Sequence, residues 1–253
     1  MMHSSVHSIL VVDDEGDACE NLRDILVDLG YHVDIARNGP EAIEQVRRSA
    51  YDIALLDLKM PGMDGVRLYR EIKRLRPETA AIVVSAFAGS ELADSALAEG
   101  ATGVVPKPVD VPELLKAIES SLAQPLVLIV DDDDDFCQNL WQILNGKKYR
   151  VGFAHSAAEA QDQLAAKAFD VVLIDWRLPG SETGADVVRI VGERNPRARR
   201  VLVTGCREGL GDTIRGLVNR GIDAVCYKPI EVENLLDMLC PRESDSAQAV
   251  TDA

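Results

Sequence analysis

The chain has 253 residues, of which 47% are hydrophobic, and it carries 42 acidic against 27 basic side chains, for a net charge of −15. A domain usually takes roughly 100–150 residues, so this length suits two domains, and the apolar content excludes a disordered chain. The negative charge argues against nucleic-acid binding, and no apolar stretch nears the roughly 20 residues of a membrane span, which favours a cytoplasmic protein without membrane contact.

The first half of the chain alternates short aliphatic runs with longer amphipathic segments. The aliphatic runs predict strands at Ile9–Val12, 32–35, Ile53–Leu56, Ala81–Val84 and Gly103–Val105. The amphipathic segments predict helices at about 16–28, 40–48, 65–75, 90–98 and 112–122. Continuous Val, Ile and Leu runs of strand length indicate strands covered on both faces, and therefore a parallel sheet flanked by helices.

The second half of the chain repeats the first. The segment LVVDDEGDACENLRDIL near the N-terminus matches LIVDDDDDFCQNLWQIL in the middle of the chain. The copies are 118 residues apart at Asp14 and Asp132, and again at Asp57 and Asp175. The offset then widens, which indicates duplicated domains with loop insertions. The second copy predicts strands at Val127–Val130, Val151–Phe153, Val171–Ile174, Val201–Val203 and Ala224–Cys226.

The repeat predicts two domains, at residues 8–122 and 126–240. The link Ala123–Leu126 is so short that the domains should not tumble freely. The polar segment 241–253 predicts a disordered tail. Because that segment is short, we expect no separate output domain there.

Each copy places the same polar residues directly after its strands. In the first copy they are Asp13, Asp14, Asp57, Ser85 and Lys107. In the second copy they are Asp131, Asp132, Asp175, Thr204 and Lys228. Functional sites of open parallel sheets lie at the carboxyl ends of the strands, so we expect each set to converge.

The chemistry of such a set points to phosphoryl groups. Like charges at ~4 Å repel by roughly 4 kcal/mol at an effective dielectric of 20, so three carboxylates need a cation nearby. Mg²⁺, a hard ion with oxygen ligands, suits carboxylates together with a phosphate, and a lysine completes the neutralisation. An aspartate is a competent nucleophile for phosphoryl groups, and a hydroxyl from Ser85 or Thr204 can hydrogen-bond a phosphoryl oxygen.

The motifs VVDD, LLDLKMPGMDG, VVSA and PKP of the first copy, and IVDD, LIDWRLPG, LVTG and YKP of the second, resemble the receiver domain of two-component response regulators. The resemblance covers both predicted domains, with five separated positions agreeing in order in each. It implies an α/β fold of two flavodoxin-like (βα)5 domains, each with a parallel sheet of order 2-1-3-4-5. It also implies cis peptide bonds at Lys107–Pro108 and Lys228–Pro229.

The same resemblance implies a role for each site residue. Asp57 and Asp175 would accept phosphoryl groups from a sensor histidine kinase or a histidine phosphotransfer protein. The Mg²⁺ ligands would be Asp14 and Asp132, the two acceptors, and the backbone carbonyls of Lys59 and Arg177, with Asp13 and Asp131 in support. The groups that contact the phosphoryl oxygens would be Lys107, Lys228, Ser85 and Thr204.

Two features depart from the family pattern. The position three residues before the lysine, where the family has a Tyr or Phe that rotates on phosphorylation, is Val104 in one copy and Val225 in the other. Phe87 is aromatic but stands elsewhere. The second copy also has glycines around its fourth helix that should loosen that surface, at Gly205, Gly209, Gly211, Gly216 and Gly221.

The predicted function is a double receiver that is not an enzyme and acts through contacts with a downstream protein, with a homodimer as one option. Alternatives are a phosphorelay intermediate or phosphate sink, and a pair whose second receiver is a non-phosphorylated interaction domain. A lone Asp14 or Asp132 could equally be a helix cap, which the duplicated set disfavours. An Asp-nucleophile phosphatase needs a second aspartate two residues after the nucleophile. This chain has Lys59 and Arg177 at those positions, which disfavours a phosphatase.

Overall fold

The computed structural model of the protein describes residues 6–86, 88–178, 183–205 and 221–239. The chain forms two compact units with a boundary after Pro125, except that Leu144–Gly152 is grouped with the first unit. Each of the two sheets has five parallel strands. The predicted tail at 241–253, Phe87 and the glycines at 209, 211 and 216 lie outside the described residues.

The first sheet has the strand order β2-β1-β3-β4-β5, as predicted. Its strands are β1 (Ser8–Val12), β2 (His32–Ala36), β3 (Ile53–Leu56), β4 (Ala80–Ser85) and β5 (Gly103–Pro106). The helices that connect and follow them are α1 (Gly16–Asp28), α2 (Gly39–Arg48), α3 (Gly65–Leu75), α4 (Glu91–Ala98) and α5 (Val111–Leu122). This alternation confirms the fold predicted for the first copy.

The second sheet has the order β7-β6-β8-β9-β10, which is the same topology. Its strands are β6 (Leu126–Val130), β7 (Arg150–Ala154), β8 (Val171–Asp175), β9 (Arg199–Thr204) and β10 (Ala224–Tyr227). The described helices are α6 (Asp134–Gly146), α7 (Ala157–Ala166), α8 (Gly184–Arg194) and, as α9, Val232–Leu239. No helix among the described residues is long and apolar enough to cross a membrane.

Burial of β1 on both faces shows why its sequence is an unbroken aliphatic run. Successive side chains of a strand point to opposite faces of the sheet. Leu10 and Val12 accordingly belong to one core cluster, while Ile9 and Val11 belong to a second. With both faces covered by helices, the four buried positions Ile9–Val12 have to be apolar.

Seven of the ten described strands end one residue later than predicted, and in three of them, β4, β8 and β9, the additional residue is a predicted site residue. Ser85 pairs with Pro106 at the end of β4, and Tyr227 pairs with Thr204 at the end of β9. Asp175 closes β8. Placing Ser85, Thr204 and Asp175 after their strands was therefore wrong by one residue, although each still lies at the carboxyl edge of its sheet.

Candidate functional sites at the carboxyl ends of the strands

The first unit gathers three carboxylates at one edge of its sheet. Asp13 and Asp14 follow β1, Asp57 follows β3, and their carboxylate oxygens lie within 4.8 Å of one another. Asp13 and Asp57 are only 7% and 8% exposed, whereas Asp14 is open to solvent. Negative charges this close repel one another, so the site calls for a cationic partner.

Lys107, which follows β5, brings an ammonium group to this cluster. Its Nζ lies 2.6 Å from Asp13 Oδ2 and 3.3 Å from Asp57 Oδ2. Burial by itself would lower the pKa of Lys107, but its hydrogen bond to Asp13 and the charges of Asp13 and Asp57 raise that pKa above its ordinary value. One charged lysine therefore faces three carboxylates, and it does not neutralise the negative charge of the cluster.

Backbone hydrogen bonds fix the loops that carry these side chains. The N–H of Asp57 donates to the carbonyl of Val12 at 2.9 Å, which ties the end of β3 to the end of β1. The N–H of Lys107 donates to the carbonyl of Ser85 at 3.1 Å. The acceptor, the acidic pair and the lysine are thus held by the sheet itself.

The second unit builds the same cluster with one difference. The carboxylates of Asp131, Asp132 and Asp175 also lie within 4.8 Å of one another, and Asp131 is 1% exposed. Lys228 Nζ lies 2.6 Å from Asp131 Oδ2. Among the described residues no ion pair joins Lys228 to Asp175, unlike the contact between Lys107 and Asp57.

The setting of Asp175 raises its pKa. Burial is the largest cause of the increase, and the charge of Asp131 adds to it. The charge of Lys228 and the backbone N–H groups of Arg177 and Trp176 act in the opposite direction without offsetting the burial. The carboxylate of Asp175 is therefore less stable as an anion than the carboxylate of an aspartate in water.

A family model settles what these two sites belong to. The response regulator receiver domain model matches the chain twice, over residues 9–119 and 127–240, and each match contains one whole cluster. The chain belongs to the response regulator receiver family. It is thus a tandem of two receivers, and its setting is two-component signalling.

Similar proteins fall into two groups by coverage. A response regulator receiver protein of Anaeromyxobacter sp. (strain Fw109-5) is 37% identical over 199 residues, which span 79% of this chain and 83% of that protein. The transcriptional regulatory protein ZraR of Escherichia coli (strain K12) is 38% identical over 123 residues, which span 49% of this chain but only 28% of that protein. The matched segment is therefore only a minor part of ZraR.

Solved structures similar to this chain match about one receiver. A CheY-like receiver domain protein from Methanospirillum hungatei JF-1 shares 33% identity with a TM-score of 0.45, covering 47% of this chain and 94% of that one. The response regulator TrrA from Thermotoga maritima, solved in complex with Mg²⁺ and BeF, shares 32% identity with a TM-score of 0.42, covering 45% and 97%.

The helix-cap alternative for the acidic residues is not supported in either receiver. The N-cap position of α1 is Glu15 and not Asp14, and the Glu15 N–H donates to Asp13 Oδ1 at 3.0 Å. At the start of α6, Asp133 Oδ1 accepts the N–H of Phe136 at 3.0 Å. Asp14 and Asp132 therefore belong to the carboxylate clusters and do not cap these helices.

The remaining predicted site residues lie where the sheet edges require. Ser85 and Thr204 end β4 and β9 and are 0% and 2% exposed. Lys59 and Arg177, two residues past the acceptors, have exposed side chains. The peptide bonds Lys107–Pro108 and Lys228–Pro229 are both cis, which confirms that prediction.

A glycine at the start of α3 and of α8 lets each helix approach its acceptor. A Cβ at Gly65 would lie 2.2 Å from the Asp57 carbonyl oxygen, and one at Gly184 would lie 2.6 Å from that of Asp175. No side chain fits at such distances, so both helices begin against the acceptor backbone. Gly65 and Gly184 follow Asp57 and Asp175 by eight and nine residues in the sequence, but the sequence does not show what they contact.

Position 104 of the first receiver and 225 of the second lack the aromatic switch. Val104 and Val225 are partly buried and pack against the core of their own receiver. An aromatic residue that sequence reasoning missed is Phe136, whose ring lies under Lys228. The available signal was the substitution itself, since Ala18 occupies the matching position in the first copy.

Proposed function

We propose that this protein accepts phosphoryl groups on Asp57 and Asp175. The observation that carries the proposal is the duplicated cluster, in which three carboxylates within 4.8 Å meet a lysine 2.6 Å from one of them. A structural role needs no such convergence, because mutually repelling carboxylates destabilise a fold unless a ligand repays the cost. The occurrence of the same cluster in both receivers supports one function for the two sites.

The transfer is a substitution at phosphorus. A carboxylate oxygen of Asp57 forms a bond to phosphorus while the bond from phosphorus to the donor breaks, and the leaving group keeps the electron pair. Lys107, 3.3 Å from Asp57, is placed to stabilise the charge on the transferring group. Ser85, at the next strand end, would donate its hydroxyl to a phosphoryl oxygen.

The donor set of each cluster suits Mg²⁺, because it consists of carboxylate oxygens. The residues that would hold the ion are Asp14, Asp57 and the Lys59 carbonyl in the first receiver, and Asp132, Asp175 and the Arg177 carbonyl in the second. Asp13 and Asp131, each paired with a lysine, would support it. When bound, the ion supplies the positive charge that the lysine alone lacks.

The partners follow from this chemistry. A sensor histidine kinase or a histidine phosphotransfer protein would donate the phosphoryl group, and a downstream protein would read the phosphorylated receivers. A homodimer is one form in which that readout could occur. The protein itself is the acceptor and not an enzyme in this scheme. A phosphorelay intermediate or phosphate sink uses the same sites.

Intact-mass measurement tests the proposal. With Mg²⁺ and acetyl phosphate we expect two phosphoryl groups per chain, and none in chelator. Asp14→Ala and Asp132→Ala should each remove one group, because each deletes a metal ligand of one receiver. Asp17→Ala, at an exposed position of α1, is the matched control and should keep both. Undiminished labelling in chelator would contradict the proposal.

A second candidate is favoured by one observation, the missing ion pair between Lys228 and Asp175 among the described residues. In this alternative the second receiver is an interaction domain that takes no phosphate. A single phosphoryl group on the wild-type chain, removed by Asp14→Ala and unaffected by Asp132→Ala, is the result that this alternative predicts.

A further inference from the structure

The two receivers differ at the lysine beside the acceptor. In the second, Lys228 Nζ lies 4.0 Å from the centroid of the Phe136 ring and 2.6 Å from Asp131 Oδ2. An ammonium over the face of an aromatic ring is attracted by the ring's quadrupole. Lys228 is therefore held by a ring and a carboxylate, neither of which is the acceptor.

The first receiver has no ring at this position. Ala18 replaces Phe136 there, and Lys107 reaches both Asp13 and Asp57. The surface groove beside the first site, of about 360 Å³, is lined by Ala18 and Lys107. The matching groove of the second receiver, of about 240 Å³, is lined by Phe136 and Lys228.

The position of the Phe136 ring follows from the start of its helix. The Phe136 N–H donates to Asp133 Oδ1 at 3.0 Å, so the residue lies in the first turn of α6. Only Asp133 separates that turn from Asp131 and Asp132. The helix start therefore lies at the same edge of the sheet as Lys228, which follows β10 and contacts the ring.

We propose that Phe136 is a positioning residue that holds Lys228 beside Asp131 and slows phosphoryl transfer to Asp175. The inference rests on the proposed function of Asp175. Transfer places negative charge on the phosphoryl oxygens beside Asp175, and Lys228 has to leave the ring face to meet that charge. The attraction between ring and ammonium is lost in that movement, so it adds to the barrier.

Three substitutions separate the ring's electrostatic attraction from its bulk. Phe136→Leu keeps an apolar side chain without a π-face, whereas Phe136→Tyr keeps the ring. Both are made in an Asp57→Asn background, where intact mass reports Asp175 alone. Ala18→Phe, in an Asp175→Asn background, installs the ring in the first receiver and reports Asp57.

Initial labelling rates with acetyl phosphate at saturating Mg²⁺ give the readout. Phe136→Leu should speed labelling of Asp175 roughly two- to five-fold, Phe136→Tyr should stay within about two-fold of the parent, and Ala18→Phe should slow Asp57 by a similar factor. If Phe136 acted through packing alone, Phe136→Leu would leave the labelling rate of Asp175 unchanged, because leucine is also apolar. Melting midpoints confirm that each variant is folded.

The outcomes separate this inference from the function on which it rests. If Asp57 is not labelled in the Asp175→Asn chain and Asp175 is not labelled in the Asp57→Asn chain, the proposed function fails. If Asp57 is labelled while Leu and Tyr at position 136 give equal rates, the positioning role is wrong. Slower labelling in Phe136→Leu, or no labelling of Asp175 in either variant, also overturns it.

Discussion

Asp175 lies in a setting that raises the pKa of its carboxyl group, chiefly through burial. The folded second receiver therefore binds this proton more tightly than the unfolded chain does. Below the ordinary pKa of 3.8 the group is protonated in both states and costs nothing. As the pH rises through the folded-state pKa, Asp175 becomes charged in the folded protein as well. Because that charge is less favourable in the folded state than in the unfolded chain, the free energy of unfolding falls.

Asp175→Asn should therefore raise the free energy of unfolding of the second receiver in chelator. We expect the gain at pH 7–8 and expect it to fade as the pH approaches the ordinary pKa. Both tryptophans of the chain, Trp141 and Trp176, lie in this receiver, so fluorescence during urea unfolding reports it selectively. Asp237→Asn, at an exposed position of α9, is the control. A gain that does not depend on pH would contradict the charge explanation.

At the scale of elements, the helices α3 and α8 begin against the backbone of the acceptors. This contact makes the glycines at 65 and 184 part of the site, since any Cβ would meet the acceptor carbonyl. The helix start and the acceptor loop are therefore coupled. A change in one has to displace the other, because packed interiors leave no spare room.

Gly184→Ala should cost about 1–3 kcal/mol of stability in the second receiver, because its Cβ would lie 2.6 Å from the Asp175 carbonyl oxygen. Gly146→Ala, at the end of α6, is the matched control, since a Cβ there meets nothing within 4 Å. We expect that control to be neutral or slightly stabilising. Tryptophan fluorescence during urea unfolding measures both. Equal midpoints for the two variants would show that α8 can move away freely.

The sequence predicted most of the elements because their patterns are local. Unbroken aliphatic runs located β1 and β3, and strand ends located the acidic residues. The ends of β4, β8 and β9 were missed by one residue, since polar Ser85, Asp175 and Thr204 continue the ladder only because a neighbouring strand is present. The relation of Phe136 to Lys228 was also out of reach, because it depends on where two distant side chains pack.

At the scale of the whole molecule, two receivers in one chain act as controls for each other. They share topology, acidic clusters and the glycine that begins each third helix. They differ in the contacts of the lysine. Lys107 contacts Asp13 and Asp57, whereas Lys228 contacts Asp131 and Phe136. Duplication made both sites visible in the sequence, while the difference between them required side-chain positions.

Counting phosphoryl groups on acceptor variants tests the central claim most directly. With Mg²⁺ and acetyl phosphate, intact mass should show two groups on the wild-type chain and one each on Asp57→Asn and Asp175→Asn. The double variant should show none. Labelling of the double variant, or two groups on either single variant, would contradict the assignment of Asp57 and Asp175 as the acceptors.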